Sequence, residues 1–180
     1  MARVGYAAVE SEVADRIRER RGGALTPLDG MLLHNPSVAD GWNSLLGAIR
    51  GHSSVPAALR ELAILRVARL NGAEYEWLAH EPIARAAGLT SPQVDAIRDV
   101  ASGDAGPLTA EQRVVLAYTD VMTRQVAVPD AVFKALAGHL DERQIVELTA
   151  TIAAYNMVSR FLVALGLDAA ERDLIVDRPA

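Results

Sequence analysis

The chain is 180 residues long, 51% hydrophobic, and carries a formal net charge of −5. This length and apolar content predict one domain over residues 1–180 with a sizeable core, and the acidic balance excludes the clustered basic face of a nucleic-acid binder. The absence of cysteine removes disulfides and thiolate metal sites, and His34, His52, His80 and His139 lie in four separate segments, so no metal site is expected.

Helix punctuation recurs along the chain. Residues 11–21 predict a first helix, and HNPSVADGWNSLLGAI predicts another after Pro36. Ser54, Val55 and Pro56 introduce PAALRELAILRVARL, which is apolar around nearly its whole circumference and stops at Asn71 and Gly72; such a helix is buried. Residues 74–87 form the next helix, ended by Gly88, and Ser91 with Pro92 opens one that reaches Val100, followed by a loop over 103–107. Thr109 with Gln112 reads as a capping box, Asp130 begins a helix after Pro129, and Asp141 with Gln144 caps a long helix to about Leu165, closed by Gly166. Every element is helical, so the expected fold is all-α, a single helical bundle. No run approaches the roughly 20 apolar residues of a membrane span, and MARVGYAAVESEVADRIRERRGG lacks a signal-peptide core. A cytoplasmic protein with no membrane partner is expected.

Chemistry concentrates on the helix over 74–87. Glu76 and His80 are four apart and share a face, and Pro82 removes the amide that would bond the Leu78 carbonyl, so a bend is expected just past the histidine. Such a pair is either a surface contact or part of a site. Glu61 lies in the apolar helix before it, where a buried carboxylate must be paired or hydrogen-bonded. It pairs with an arginine such as Arg60 or Arg66, or it holds the His80 imidazole and sets its tautomer. Tyr75 and Trp77 flank Glu76 and supply either an apolar wall to a pocket or ordinary core. Thr149, Ala153, Asn156 and Arg160 line one face of the last long helix, with Tyr155 alongside. A buried Arg160 is a structural partner for a carboxylate such as Glu61, or a clamp for a carboxylate ligand. His34 and Trp42 in HNPSVADGW are weaker candidates.

The phrases LRELAILRVARLNGAEYEWLAHEPIARAAGL and IAAYNMVSRFLVALGL resemble the carboxymuconolactone decarboxylase and alkyl hydroperoxidase D-like family over roughly residues 30–168. In the peroxidase branch a glutamate precedes a Cys-x-x-Cys-x-x-x-His helix. Here Glu61 stands at that glutamate, His80 at the histidine, and Ala73 and Glu76 at the two cysteine positions. Thiol peroxidase chemistry needs a thiolate and a resolving thiol, so the chain looks like the cysteine-free branch, in which a glutamate also precedes the histidine by four. The resemblance implies an all-helical fold, a homo-trimer or homo-hexamer, a pocket near the His-bearing helix, and no cofactor.

The expected activity is that of a cofactor-independent lyase or isomerase acting on a small carboxylated lactone or carbonyl compound. His80 delivers the proton, Glu76 and Glu61 orient or relay, and Arg160 binds the carboxylate, with Tyr75, Trp77, Tyr155 and Asn156 lining the substrate. Two ionised glutamates bracketing His80 would favour the imidazolium. Two alternatives stand beside this one: a secondary-metabolite tailoring cyclase on the same scaffold, and a non-catalytic binding or assembly module. The module predicts a His80 that is exposed and unpaired, or packed with no cavity beside it.

Overall fold

Every residue from Glu61 to Ala68 is buried, which is possible for a helix only at the centre of a bundle. In the computed structural model, which describes residues 2–7, 10–99, 106–171 and 176, the helices in chain order are α1 (Glu12–Arg21), α2 (Pro27–Leu32), α3 (Pro36–Gly51), α4 (Ala57–Leu70), α5 (Glu74–Ala86), α6 (Ser91–Arg98), α7 (Ala110–Gln125), α8 (Asp130–Ala137) and α9 (Glu142–Leu165). A short 3₁₀ turn follows at Ala169–Glu171, and no strand occurs among the described residues. The central α4 packs against α5, α6, α7 and α9. The N-terminal helices α1 and α2 pack on α3 through a smaller apolar cluster that includes Ile17, Leu25 and Leu32.

Local chemistry sets the boundaries. Ser11 Oγ accepts from the Ala14 amide, Thr109 and Gln112 cap α7 reciprocally, Asp141 and Gln144 do the same for α9, and Gly166 ends α9 in the left-handed conformation. Three details differ from the sequence expectation. Pro56 is the residue before the first turn of α4 rather than within it. The last helical residue of α6 is Arg98; Val100 and residues 103–105 of the expected loop lie outside the described residues. α5 runs through Pro82, as expected, and ends at Ala86, one residue before the expected end.

The sequence reading missed α2 entirely. Its signal was Thr26, Pro27 and Asp29: Asp29 Oδ2 accepts from the Thr26 amide, and Pro27 sits in the first turn. A six-residue helix is too short to show a period. A second correction concerns α9, which by length and composition alone is apolar enough to cross a bilayer. Its apolarity has another cause, because Leu148, Ile152, Tyr155, Val158 and Leu162 are core residues packed toward α4, α7 and α3.

Polar braces fix the centre. Arg66 sends Nε and Nη2 to the two carboxylate oxygens of Asp120 on α7, and Nη1 to the carbonyls of Ile97 and Asp99. At the end of α4, Asn71 donates to Asn156 Oδ1 (3.0 Å) and Ser159 Oγ (2.7 Å), while Asn156 donates to Thr123 Oγ1.

After α7 the chain turns at Val126, with φ 66° and ψ −56°, and the Ala127 amide bonds the Gln125 carbonyl two residues back. This γ-turn places a β-branched residue at positive φ, a strain on the order of 1–3 kcal/mol. The side chain is 81% exposed and offers little packing in return. Val126→Gly is therefore expected to raise stability by about 1 kcal/mol after glycine's extra unfolded-state entropy is subtracted, read as a higher urea midpoint at unchanged slope. A lower midpoint would show that the turn is unstrained.

Candidate active site

The first turns of α5 present Tyr75, Glu76 and His80 inward, all three buried. His80 Nδ1 lies 2.8 Å from Glu61 Oε2 on α4, with both side chains buried. A carboxylate only accepts, so this bond places an imidazole proton on Nδ1; in the neutral ring the lone pair is then on Nε2. The arginines proposed as partners for Glu61 are engaged elsewhere: Arg66 with Asp120, and Arg60 with the Val55 carbonyl.

Glu76 differs from Glu61. Neither of its carboxyl oxygens has a hydrogen-bond partner among the described residues, and burial pushes its pKa well above the ordinary carboxylate range. Burial thus favours the protonated form of Glu76, against the expectation of two ionised glutamates around His80. Low dielectric without a compensating donor disfavours the second charge. Tyr155 meets His80 edge-on at 5.0 Å, and its buried hydroxyl is unpartnered. Burial pushes that hydroxyl far up, so it remains an O–H donor.

Two adjoining cavity lobes open beside these groups. The larger, about 130 Å³, is bordered by Tyr75, Glu76, Ala79, His80, Val158 and Leu162. The smaller, about 60 Å³, is bordered by His80, Tyr155, Trp42 and Asn43 among others. Arg21, Leu28, Arg50, His80 and Val158 border both. A cavity of roughly 150 Å³ admits a benzene-sized ligand, so the site suits a small molecule.

The structure separates the predicted site residues. Glu76, His80, Tyr75 and Tyr155 border the cavity, and Glu61 stands behind His80. Trp77 does not reach it: its Nε1 donates to Glu81, and the Arg98 guanidinium lies 4.3 Å above its ring. Asn156 is occupied by the Asn71 and Thr123 brace. Arg160 is exposed and borders neither lobe. The step from Asn156 to Arg160 turns the side chain about 40° further around α9, enough to carry it over the rim of the buried face. His34 is exposed, with Nε2 2.8 Å from the Gly5 carbonyl. Sequence reasoning missed Arg21, Arg50 and Asn43. They come from α1 and α3 and meet α5 only in the tertiary structure. No group of three or more metal-ligating side chains occurs among the described residues.

Comparison with known proteins agrees with this architecture. The model of the carboxymuconolactone decarboxylase family matches residues 36–121, a span that contains Glu61, Glu76 and His80. An uncharacterized protein, YdfG, of Bacillus subtilis (strain 168) is 28% identical over 122 residues, 67% of this chain and 82% of its own length. Among solved structures, an uncharacterized peroxidase-related protein with an alkylhydroperoxidase AhpD core from Ralstonia eutropha JMP134 superposes with a TM-score of 0.80 at 18% identity, over 99% of this chain and 98% of its own. The debrominase Bmp8, solved with 2,3,4-tribromopyrrole, superposes with a TM-score of 0.74 at 18% identity, over 95% and 96% of the two chains. At these identities the structural likenesses establish the fold. The segment 36–121 thus matches the model of the carboxymuconolactone decarboxylase family, and the chain has an alkyl hydroperoxidase D-like, all-helical fold without cysteine.

Proposed function

We propose that this protein is a cofactor-independent acid/base enzyme of the cytoplasm, a carboxymuconolactone decarboxylase-like lyase or isomerase acting on a small carboxylated lactone or carbonyl compound. One observation carries the reading: a buried carboxyl group with no hydrogen-bond partner among the described residues, Glu76, and a carboxylate-held imidazole, His80, border the same cavity. Neighbouring titratable groups held in different states divide the work of acid and base. The proton donor is therefore Glu76, where sequence alone pointed to His80.

In an isomerisation, His80 Nε2 takes the proton from the carbon beside the substrate carbonyl, and the bond's electron pair moves to the carbonyl oxygen. The Tyr155 hydroxyl donates to that oxygen. Where a carbon–carbon double bond adjoins that carbon, the charge delocalises along it, Glu76 protonates the far carbon so that the double bond shifts, and His80 then returns its proton to Glu76. In a decarboxylation, the carbon–carboxylate bond breaks, carbon dioxide leaves, and the proton of Glu76 replaces it on carbon; water reprotonates Glu76. A non-catalytic module would leave His80 exposed, or packed with no space beside it. His80 is instead buried, bonded and bordered by both lobes, which favours the enzyme reading.

An untargeted metabolite comparison between a deletion strain and its parent identifies the compound that accumulates. With that compound, His80→Ala is expected to lower kcat/KM about 10²- to 10⁴-fold. Turnover that survives in both His80→Ala and Glu76→Gln would overturn the assignment.

Assembly into a homo-trimer or homo-hexamer is part of the same proposal. Val146, Met157 and Val163 leave apolar surface exposed along α9, and closed symmetric contacts are a common way to cover such surface. Light scattering behind a sizing column is expected to give a multiple of the 19.2 kDa chain mass; a stable monomer would reject it.

A further inference from the structure

The wall facing Glu76 and His80 is basic. Arg20, Arg21 and Arg50 border the smaller lobe, and Asp29 is the one carboxylate among its lining residues. That carboxylate is spent: Arg21 Nη2 donates to Asp29 Oδ1 at 3.0 Å, and the Thr26 amide and hydroxyl donate to Asp29 Oδ2. Arg50 is placed differently. Its Nε donates to the Leu46 carbonyl one turn back at 3.1 Å, which fixes the shaft. Its two terminal nitrogens have no hydrogen-bond or ion-pair partner among the described residues, and the side chain borders both lobes. Burial, reinforced by the charges of Arg21 and Arg50, also pushes the Arg20 guanidinium below its usual range, as expected where cations crowd without enough anions. Beside Arg50, the buried Asn43 Oδ1 is an acceptor with no donor.

We propose that Arg50 is the specificity-determining residue of this cavity, and that it binds the carboxylate of a small monocarboxylic substrate through its two free terminal nitrogens. Arg50 thereby takes the role that sequence alone gave to Arg160. A planar guanidinium held at Nε presents parallel donors matched to a planar carboxylate. Leu28, Val158 and Leu162 enclose an apolar body, and the larger lobe limits that body to about one ring. A single anionic group is the best complement, because Glu76 on the same lining offers at most one O–H and no positive charge to a second carboxylate. The inference rests on the acid/base reading for what the bound molecule undergoes, but not for its binding.

The test is calorimetric titration of the full chain with 2-furoate, with 2-furamide as its uncharged isostere, and with inorganic phosphate, each to millimolar concentration. 2-Furoate is expected to bind the parent, while 2-furamide and phosphate bind weakly or not at all. Arg50→Gln is expected to weaken 2-furoate binding on the order of tenfold to a hundredfold. Arg50→Lys, which keeps the charge without the fork, should fall between parent and Gln variant and guards against a folding defect. Binding is read here without turnover, so a failure of the acid/base reading leaves this result standing, and the reverse also holds. Equal binding by Arg50→Gln, equal binding of 2-furamide, or no 2-furoate binding by the parent would each overturn the proposal. Phosphate binding as tight as that of 2-furoate would do the same by reassigning the site to a tetrahedral anion.

Discussion

Replacing Glu76 with glutamine is expected to lower turnover about 10²- to 10⁴-fold while making the protein more stable at neutral and alkaline pH. Both effects have one cause. The Glu76 carboxyl is buried without a hydrogen-bond partner, so its folded-state pKa lies well above the 4.5 of an ordinary glutamate. Below that ordinary value the folded and unfolded chains both hold the proton, and the full stability is present. As pH rises past it, the unfolded chain ionises while the folded chain does not. Stability then falls by up to about 1.4 kcal/mol per pH unit and continues to fall until the folded-state group also titrates. Glutamine keeps the shape and removes the titration, so the parent's urea midpoint should decline with pH more steeply than that of Glu76→Gln. Activity follows the same proton: the parent should hold its rate above the ordinary carboxylate range and lose it on the alkaline side as Glu76 ionises. If both proteins show the same pH slope in their urea midpoints, Glu76 is not the buried acid; if Glu76→Gln turns over like the parent, it is not the donor.

The largest structural effect is expected at Arg66. Arg66→Met keeps much of the side-chain volume but removes both donors to Asp120 and the donor to the Ile97 and Asp99 carbonyls. Removing one partner of a buried pair leaves the other charge uncompensated and costs roughly 3–5 kcal/mol. Asp120 is partly exposed, with side-chain exposure of 24%, which places the expected loss toward the lower end. Thermal unfolding should drop on the order of 10 °C in a domain of this size. The double variant Arg66→Met with Asp120→Leu should recover part of the loss, because the orphaned carboxylate is gone; no recovery would assign the cost to packing. Since α4 also carries Glu61, the single variant should weaken the His80 contact as well.

Arg66 also marks where sequence reasoning stops. An arginine in an apolar helix with a glutamate nearby reads as a pair, and Arg66 was one of three candidate partners for Glu61, with Arg60 and Arg160. The fold sends it to Asp120 instead, across to another helix, and gives Glu61 to His80. Arg160 shows the same limit from the other side. Its spacing from Asn156 was read correctly, but spacing assigns residues to a stripe and does not say where the buried face ends. Arg50 shows it most plainly: on α3 it is one basic residue in the last turn, with nothing local to set it apart.

By itself, the sequence determined the helical class and most helix boundaries, because capping boxes, prolines and terminal glycines act through contacts three or four residues apart. It also marked α4 as central, since an all-round apolar circumference needs no knowledge of neighbours, and it excluded thiol chemistry through composition. Only the tertiary structure decided which of two glutamates holds the histidine and which is left without a donor among the described residues. That difference depends on whether a donor from another helix reaches a buried carboxyl: Glu61 meets Nδ1 of His80, and Glu76 meets no donor. The structure likewise brought α1 and α3 across the His80 cavity to supply its basic wall. Local patterns act over a few residues, whereas desolvation and charge pairing are set by whatever the fold places within a few ångströms.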